Sequence, residues 1–203
     1  KLILFLLNGI GGVENIPLNI INNYQQIMNL PRHFYFLRHG ETFLNFKKKI
    51  SGQTNTRLTQ KGKNDIMKLK KKIKEIKINH VYTSSLLRTR ETSNILFRNR
   101  VKRTSLKKFD ERNWGILEKK NISNIKNFKI KPKNGESLNQ FERRIVKLIS
   151  NRKFEEKSFF CLHKGVLKVF LKYMKISIKN EIFENSKLIE FRKKNQKYNL
   201  KII

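Results

Sequence analysis

Two of the four histidines of this chain directly follow short apolar segments, where a side chain can do chemistry at the end of a buried strand. His39 comes after residues 34–37 and Arg38, and His163 comes after Ser158–Leu162. Both segments are typical of inner strands of a parallel sheet, whose carboxyl ends meet at one edge where ligands gather. We therefore expect the two imidazoles within a few ångströms of each other, in an arrangement sized for a phosphate group.

Two arginines are candidates to bind an anion beside these histidines. Arg38 ends the first strand, and Arg88 falls in the first turn of a helix predicted to run from Ser84 or Ser85, as its N-cap, to about Phe97. Free backbone N–H groups and the helix dipole favour an anion at that point. A guanidinium also offers two parallel donors to phosphate oxygens, which lysine does not. The alternative is that Arg88 is one more solvated basic residue among many.

The segments between these residues alternate between helix and strand patterns. Apolar residues recur at spacings of three and four after Thr59 and after Ser137, and both are good N-caps for the amphipathic helices predicted there. The other predicted segments are a loop over the site at 43–57, a strand His80–Thr83, an extended segment 101–109, an unassigned polar stretch 118–133, a helix 166–173 and a closing strand 198–203. This order predicts an α/β fold, a three-layer α/β/α sandwich with a mostly parallel central sheet.

The overall charge is strongly positive but evenly spread. The 203 residues hold 47 Lys and Arg against 15 Asp and Glu, which gives a formal net charge of +32. Most of the basic residues are lysines, and they occur in every part of the chain. This distribution favours a solvated surface over a specific nucleic-acid site, since a specific binder concentrates its charge on one face. Non-specific binding to polyanions at low salt is still expected.

The length suits one domain with a full-sized core. We expect residues 1–30 to form an extension outside the core and residues 31–203 to form the domain proper, because Met28 lies just ahead of the first strand. The apolar residues 2–7 are too short for a signal sequence, and no run reaches the roughly 18 to 20 residues that span a bilayer, so we expect no membrane partner. Cys161 is the single cysteine, which excludes an intrachain disulfide and favours a reducing, cytoplasmic location.

The sequence around His39 resembles a known family signature. Residues 38–42, Arg-His-Gly-Glu-Thr, with Asn45 at the matching offset, are similar to the signature of the histidine phosphatase superfamily, which includes the cofactor-dependent phosphoglycerate mutases. Four further segments match family motifs in the same order, at 83–92, 110–118, 134–137 and 161–166. The resemblance implies that residues 31–203 are a histidine phosphatase-like catalytic domain with a phosphoglycerate mutase-like fold.

The catalytic set that the resemblance implies is His39, Glu111, His163, Arg38 and Arg88. His39 would attack phosphorus and form a phosphohistidine, and the arginines with the second histidine would neutralise charge on the phosphoryl oxygens. The nearby cations would lower the pKa of His39 and keep its ring neutral. Glu111 matches the general acid that protonates the leaving group, and Asp110 is a weaker alternative.

The substrate-binding set that the resemblance implies is Asn45, Ser51, Gly52 and Lys164. The first three match family positions that touch the phosphoryl group or the substrate. Lys164 departs from the family pattern, because a small residue usually follows the second histidine, and it either adds a phosphate contact or crowds the pocket. The Gly-Glu-Ser turn at 135–137 is explained by helix capping and Cys161 by burial in a strand, so both are interpreted as structural.

These observations favour a metal-independent phosphomonoester hydrolase that acts on a small phosphorylated metabolite without a cofactor. Only two aspartates are present, and no paired-Asp or His-x-His cluster suits a metal-dependent phosphatase. About twenty residues separate the acid motif from the Gly-Glu-Ser turn, where mutases of the family carry an insertion, so a mutase is the second interpretation. The third is a non-catalytic basic binding protein on the same fold. The oligomeric state, a homodimer included, is left open.

Overall fold

One mostly parallel sheet carries the residues of interest. The computed structural model describes residues 29–177 and 180–203, so the predicted extension over residues 1–30 lies almost wholly outside it and this division of the chain stays a prediction. The strands are β1 His33–Arg38, β2 His80–Thr83, β3 Arg103–Ser105, β4 Ser158–Leu162, β5 Leu188–Lys194 and β6 Lys197–Ile202. Their spatial order is β3-β2-β4-β1-β5-β6, with the first four parallel and β5 and β6 antiparallel at one edge. The predicted α/β class and mostly parallel sheet are confirmed.

Helices cover both faces of this sheet. They are α1 Phe43–Phe46, α2 Gln60–Lys74, α3 Leu87–Phe97, α4 Leu138–Asn151 and α5 Lys164–Tyr173. The side chains of Thr59 and Ser137 accept hydrogen bonds from the first turns of α2 and α4, so both predicted N-caps are confirmed. Apolar residues of α4 and α5 pack on one face of the sheet, and those of α2 and α3 pack on the other.

Strand β1 lies at the centre of this sandwich and contributes to both cores. Phe34 and Phe36 pack with the α4 and α5 side, whereas Tyr35 and Leu37 pack with the α2 and α3 side. All four residues are buried, which explains why the segment shows no alternation of apolar and polar residues. A strand that is covered by helices on both faces of the sheet needs apolar side chains on both of those faces.

The register of β1 and β4 sets the geometry of the site. Arg38 is opposite Leu162 across the parallel ladder, and the backbone N–H of His39 continues it by donating to the Leu162 carbonyl at 3.1 Å. The residues that follow the two strands, His39 and His163, are therefore neighbours at the carboxyl edge of the sheet.

Several elements differ from the sequence predictions. Neither Ser84 nor Ser85 caps α3, which begins at Leu87 without a side-chain cap, because both serine hydroxyls bind other partners. The predicted loop 43–57 contains the one-turn helix α1, and α5 begins two residues earlier than predicted. Strand β5 was not predicted, because its second half is charged and lies at the mixed edge of the sheet. Within the described ranges no helix is both long and apolar enough to cross a membrane.

Candidate active site

The two histidines that follow β1 and β4 face each other at the carboxyl edge of the sheet. The ring centroids of His39 and His163 are 5.3 Å apart, and the ring planes meet at 65°. Both residues are buried. The predicted pairing of the two imidazoles is therefore present in the structure.

The hydrogen bonds of His39 define its tautomer. Its Nδ1 lies 2.8 Å from the carbonyl oxygen of Gly40, and an oxygen of this kind only accepts, so Nδ1 carries the proton. Its Nε2 receives a hydrogen bond from the Nε–H of Arg88 at 3.1 Å, and a guanidinium only donates. Nε2 therefore keeps its lone pair, which is the state that a nucleophilic imidazole requires.

The surroundings of His39 keep the ring uncharged. Burial lowers its pKa well below the usual 6.5, and the positive charges of Arg88 and Arg38 lower it further. The predicted direction is confirmed, but the larger cause is burial and not the two arginines. The imidazole is thus neutral at physiological pH.

Arg88 is almost fully buried and braced by the loop that follows α1. Its Nη2 donates to the Gly52 carbonyl at 2.8 Å, and its Nη1 donates to the Thr54 carbonyl at 3.1 Å. Burial lowers its pKa to about 10, and the carboxylate of Glu111 opposes this effect. Arg88 lies in the first turn of α3, as predicted, although the helix begins later than expected.

Arg38 is the second cation of the site, and its side chain is half-buried. Burial lowers its pKa to about 10, and its Nη1 donates to the carbonyl oxygen of Phe183. Its Nε is buried without a hydrogen-bond partner among the described residues. No ion pair of 4.0 Å or shorter joins either guanidinium to a described carboxylate, so both are available to an incoming anion.

Glu111 lies against the start of α5 and beside the second histidine. One carboxylate oxygen accepts the N–H of Gly165, and the other accepts the N–H of Arg112, both at 2.9 Å. A Cβ at Gly165 would lie 2.1 Å from Glu111 Oε1, so glycine is needed here to admit the carboxylate. Asp110 is bound instead to the N–H and hydroxyl of Ser85, which makes Asp110 the poorer candidate for the acid.

Residues 110–118, which contain Glu111, form a loop that we call the acid loop. Hydrogen bonds to Glu118 connect it to the loop that braces Arg88. Its carboxylate accepts the N–H groups of Gln53 at 2.8 Å, Thr54 at 2.7 Å and Trp114 at 3.1 Å. Gly52 has a φ of 49°, and a Cβ there would lie 2.1 Å from Glu118 Oε1. Glu118 was not singled out in the sequence, because only the folded chain brings residues 53 and 118 together.

Of the other substrate-binding residues predicted in the loop 43–57, Asn45 has hydrogen-bond partners and Ser51 has none among the described residues. The side-chain oxygen of Asn45 accepts from the N–H of Thr42 and from Nδ2 of Asn185, both at 3.3 Å. The hydroxyl of Ser51 is buried without a partner among the described residues. Asn185 also donates to the His39 carbonyl at 2.8 Å, a contact that no sequence pattern indicated. Asn45 is thus connected to His39 through Asn185, whereas the Ser51 hydroxyl is free to bind a substrate.

A family model of the histidine phosphatase superfamily, branch 1, matches residues 34–192. That match covers both histidines, both arginines and the acid loop. The chain belongs to the histidine phosphatase superfamily.

Individual members of the superfamily show how far the similarity extends. A curated protein named probable phosphoglycerate mutase GpmB, from Escherichia coli, is 35% identical over 100 residues, which is 45% of this chain and 43% of that protein. The alignment therefore spans less than half of the length of that relative. The alpha-ribazole phosphatase from Shigella flexneri superposes with a TM-score of 0.73 at 20% identity, over 84% of this chain and 95% of that chain.

A solved structure of a phosphoglycerate mutase has the same fold. The crystal structure of a phosphoglycerate mutase from Bacillus anthracis superposes with a TM-score of 0.69 at 19% identity, over 84% of this chain and 92% of that chain. Structural similarity at these identities establishes the phosphoglycerate mutase-like fold alone. The particular reaction and substrate have to be argued from the site.

Cys161 and Lys164 lie on either side of His163 within the segment 161–166. The side chain of Lys164 is exposed, with Nζ 5.6 Å from the ring centroid of Phe183, which argues against its crowding the buried pocket. The thiol of Cys161 is buried and donates to the Thr89 carbonyl at 3.4 Å. Burial raises its pKa, which favours the unreactive thiol. In the described ranges no group of three or more His, Cys, Asp or Glu residues is arranged to hold a metal ion.

The contacts of the Gly-Glu-Ser turn at 135–137 are consistent with the structural role predicted for it. The carboxylate of Glu136 pairs with Arg144 and accepts the N–H of Asn113, and Ser137 begins α4 with a capping box. Arg112, also buried, donates to the Glu136 carbonyl at 3.0 Å. These contacts hold the acid loop against α4, so the turn helps to position Glu111 through the residues that follow it in the chain.

His163 makes folding stability dependent on pH. Its Nε2 pairs with the Ser84 hydroxyl at 2.7 Å, and burial followed by the charge of Arg88 lowers its pKa well below 6.5. Below pH 6.5 the unfolded chain therefore binds a proton at this residue that the folded chain does not. The free energy of unfolding should decrease as the pH falls, by about 1.4 kcal/mol per pH unit for this residue.

We expect His163→Gln to reduce that pH dependence. Urea unfolding at pH 7, 6 and 5 should show a slope shallower than that of the wild type by about 1.4 kcal/mol per pH unit below pH 6.5. Ser84→Ala is the control, because it removes the same hydrogen bond without removing a titrating group. Equal slopes in the wild type and His163→Gln would contradict the prediction.

Proposed function

We propose that this protein is a metal-independent phosphomonoester hydrolase that works through a phosphohistidine on His39. The observation that carries the proposal is the state of that ring, with Nδ1 bound to the Gly40 carbonyl and the Nε2 lone pair directed at Arg88. A buried, neutral and oriented imidazole between two guanidinium groups is suited to attack the phosphorus of a bound phosphate ester.

The first half-reaction breaks the ester bond. The phosphoryl dianion takes the place of the neutral ring as the main partner of Arg88 and satisfies the unpaired Nε of Arg38. His39 Nε2 then forms a bond to phosphorus as the ester oxygen leaves with the bonding electron pair. Glu111, in its protonated form, gives its proton to that oxygen, so the product leaves as a neutral alcohol.

The geometry of Glu111 is compatible with this proton transfer. Each carboxylate oxygen accepts one backbone N–H, whereas an oxygen of this type has two lone-pair sites. One site on each oxygen is left for a proton. The hydrogen bonds from the N–H groups of Gly165 and Arg112 therefore orient the carboxyl group and leave one lone-pair site free on each oxygen.

The second half-reaction releases phosphate. Water attacks phosphorus, Glu111 accepts a proton from that water, and the bond between phosphorus and Nε2 breaks. The electron pair returns to His39, which regains the neutral form with the Nδ1 proton still bonded to Gly40. His163, whose Nδ1 is buried without a partner among the described residues, is available to bind a phosphoryl oxygen throughout.

A screen of phosphate esters in the presence of a chelator tests this proposal. We expect the wild type to release inorganic phosphate from at least one member of a panel of sugar phosphates, nucleotides and phosphoglycerates, with unchanged rates in excess EDTA. Loss of turnover in EDTA that added divalent metal restores would contradict metal-independent chemistry. Salt-sensitive nucleic-acid binding with no turnover of any ester would instead support the non-catalytic interpretation.

Phosphoglycerate mutase is the second candidate, because a curated relative and a solved structure carry that name. A mutase must hold the phosphorylated enzyme away from water until the second phosphoglycerate position receives the group. The short segment between the acid loop and α4 offers little chain for that purpose. The assay that separates the two uses 3-phosphoglycerate, from which a phosphatase releases inorganic phosphate and a mutase produces 2-phosphoglycerate.

A further inference from the structure

Two lysines of α5 lie against a wall of the site that no sequence motif indicated. The Nζ atoms of Lys164 and Lys168 are 5.6 and 5.5 Å from the ring centroid of Phe183. The two residues are one helical turn apart, so they lie on the same side of α5. Both side chains are exposed, and both ammonium groups are within cation–π range of the same Phe183 ring.

This wall is joined directly to the phosphate-binding residues. The carbonyl oxygen of Phe183 accepts a hydrogen bond from Arg38, and Asn185, two residues later, donates to the His39 carbonyl. The ring under the two lysines therefore belongs to the segment that braces the nucleophile. The two exposed ammonium groups form a rim beside this segment, whereas Arg88 is buried and Arg38 is half-buried.

The lysines add positive charge beyond what a phosphoryl group requires. Arg38 and Arg88 already match the two negative charges of a phosphate monoester. Neither Lys164 nor Lys168 is within 4.0 Å of a described carboxylate oxygen, whereas Lys172, one turn further along α5, pairs with Glu142 at 2.6 Å. The partial burial of the Lys164 stem, followed by the charges of Lys168 and Arg38, lowers the pKa of Lys164, and the carboxylate of Glu111 opposes this effect. The rim thus carries two cations of the same helix face that form no ion pair with a described carboxylate.

We infer that Lys164 and Lys168 bind a second anionic group of the substrate, a carboxylate or a further phosphate on the leaving group. The inference rests on the proposed phosphomonoesterase function, because the first phosphate must occupy the pocket between His39 and Arg88. A second anion at the rim relieves the repulsion between the two ammonium groups and forms charge-assisted hydrogen bonds with them. The preferred substrate is therefore a phosphate ester with a second negative charge a few atoms from the scissile bond.

Matched substrates and variants test this assignment. One pair is 3-phosphoglycerate and glycerol 3-phosphate, which differ by a carboxylate in place of a hydroxymethyl group. The other pair is propane-1,3-diol bisphosphate and its monophosphate, so the two pairs distinguish carboxylate from phosphate. Phosphate release gives kcat/KM for each compound with the wild type, Lys164→Met, Lys168→Met and the double variant. Methionine keeps an apolar stem over Phe183 and removes the charge.

We expect the wild type to prefer the more highly charged member of at least one pair by about tenfold in kcat/KM, the factor that corresponds to one charge-assisted hydrogen bond. The double variant should lose most of that preference, and Lys168→Arg should retain it. Lys172→Met is the control on the same helix and should keep the wild-type preference, because its partner is Glu142.

The outcomes separate this inference from the function on which it rests. Equal kcat/KM within both pairs for the wild type, or a preference that survives in the double variant, would overturn the role of the lysines and leave the phosphatase proposal standing. No phosphate release from any of the four compounds or from p-nitrophenyl phosphate would overturn the proposed function and this inference together.

Discussion

Replacing His39 with alanine is expected to lower kcat for phosphate-ester hydrolysis by at least about 10⁴-fold, since removal of a catalytic nucleophile has effects of this order or larger. The structure gives the reason, because His39 presents the uncharged lone pair of its Nε2 atom to Arg88 at a buried position. The measurement is steady-state release of inorganic phosphate from the best substrate of the screen. Turnover by His39→Ala at the wild-type rate would refute the proposed mechanism.

Two controls make that result specific. His33→Ala removes a histidine from the opposite end of the same strand, where His33 pairs with Glu190, and it should change kcat by less than about twofold, as surface substitutions far from a site usually do. Rapid quenching of the wild type should also trap an acid-labile phosphoryl group on the peptide that contains His39. Absence of that group under conditions of fast turnover would indicate direct attack by water.

Replacing Glu111 with glutamine is expected to lower kcat/KM for alkyl phosphates by about 10²- to 10⁴-fold, the usual contribution of a general acid. An alkoxide is a poor leaving group without a proton, whereas 2,4-dinitrophenolate leaves readily without one. The same variant should therefore lose less than about tenfold with 2,4-dinitrophenyl phosphate in the step that forms the phosphohistidine. Burst kinetics with the two substrates measure this difference.

Asp110→Asn is the matched control for this experiment. Its carboxylate binds the N–H and hydroxyl of Ser85, so its loss should destabilise the loop and affect both substrates by a similar factor. The thermal midpoint of each variant is measured alongside, because glutamine at position 111 retains only one acceptor for the two N–H groups now bound to the carboxylate. An equal loss with alkyl and dinitrophenyl esters in Glu111→Gln would exclude Glu111 as the acid.

The sequence was sufficient for those parts of the site that lie within one element or at its end. A run of four buried residues before Arg38 predicts an inner strand, because only a strand packed on both faces is apolar throughout. Two such strands, each followed by a histidine, have their carboxyl ends at one edge if they are parallel neighbours, and β1 and β4 are parallel neighbours. The N-caps at Thr59 and Ser137 could also be predicted from the sequence, because a cap is a hydrogen bond between a side chain and the backbone N–H three residues later.

Only the tertiary structure decided the contacts between distant segments. Ser84 and Ser85 are good caps in isolation, yet their hydroxyls bind His163 and Asp110, which lie 79 and 25 residues away. The wall formed by Phe183 and Asn185 carries no local pattern, because its role depends on contacts with Arg38 and His39 at the end of β1. The tautomer and the lowered pKa of His39 depend in the same way on burial by the assembled sheet and helices. Local spacing encodes strands, helices and caps, whereas side-chain partners across the fold depend on the packing of the whole domain.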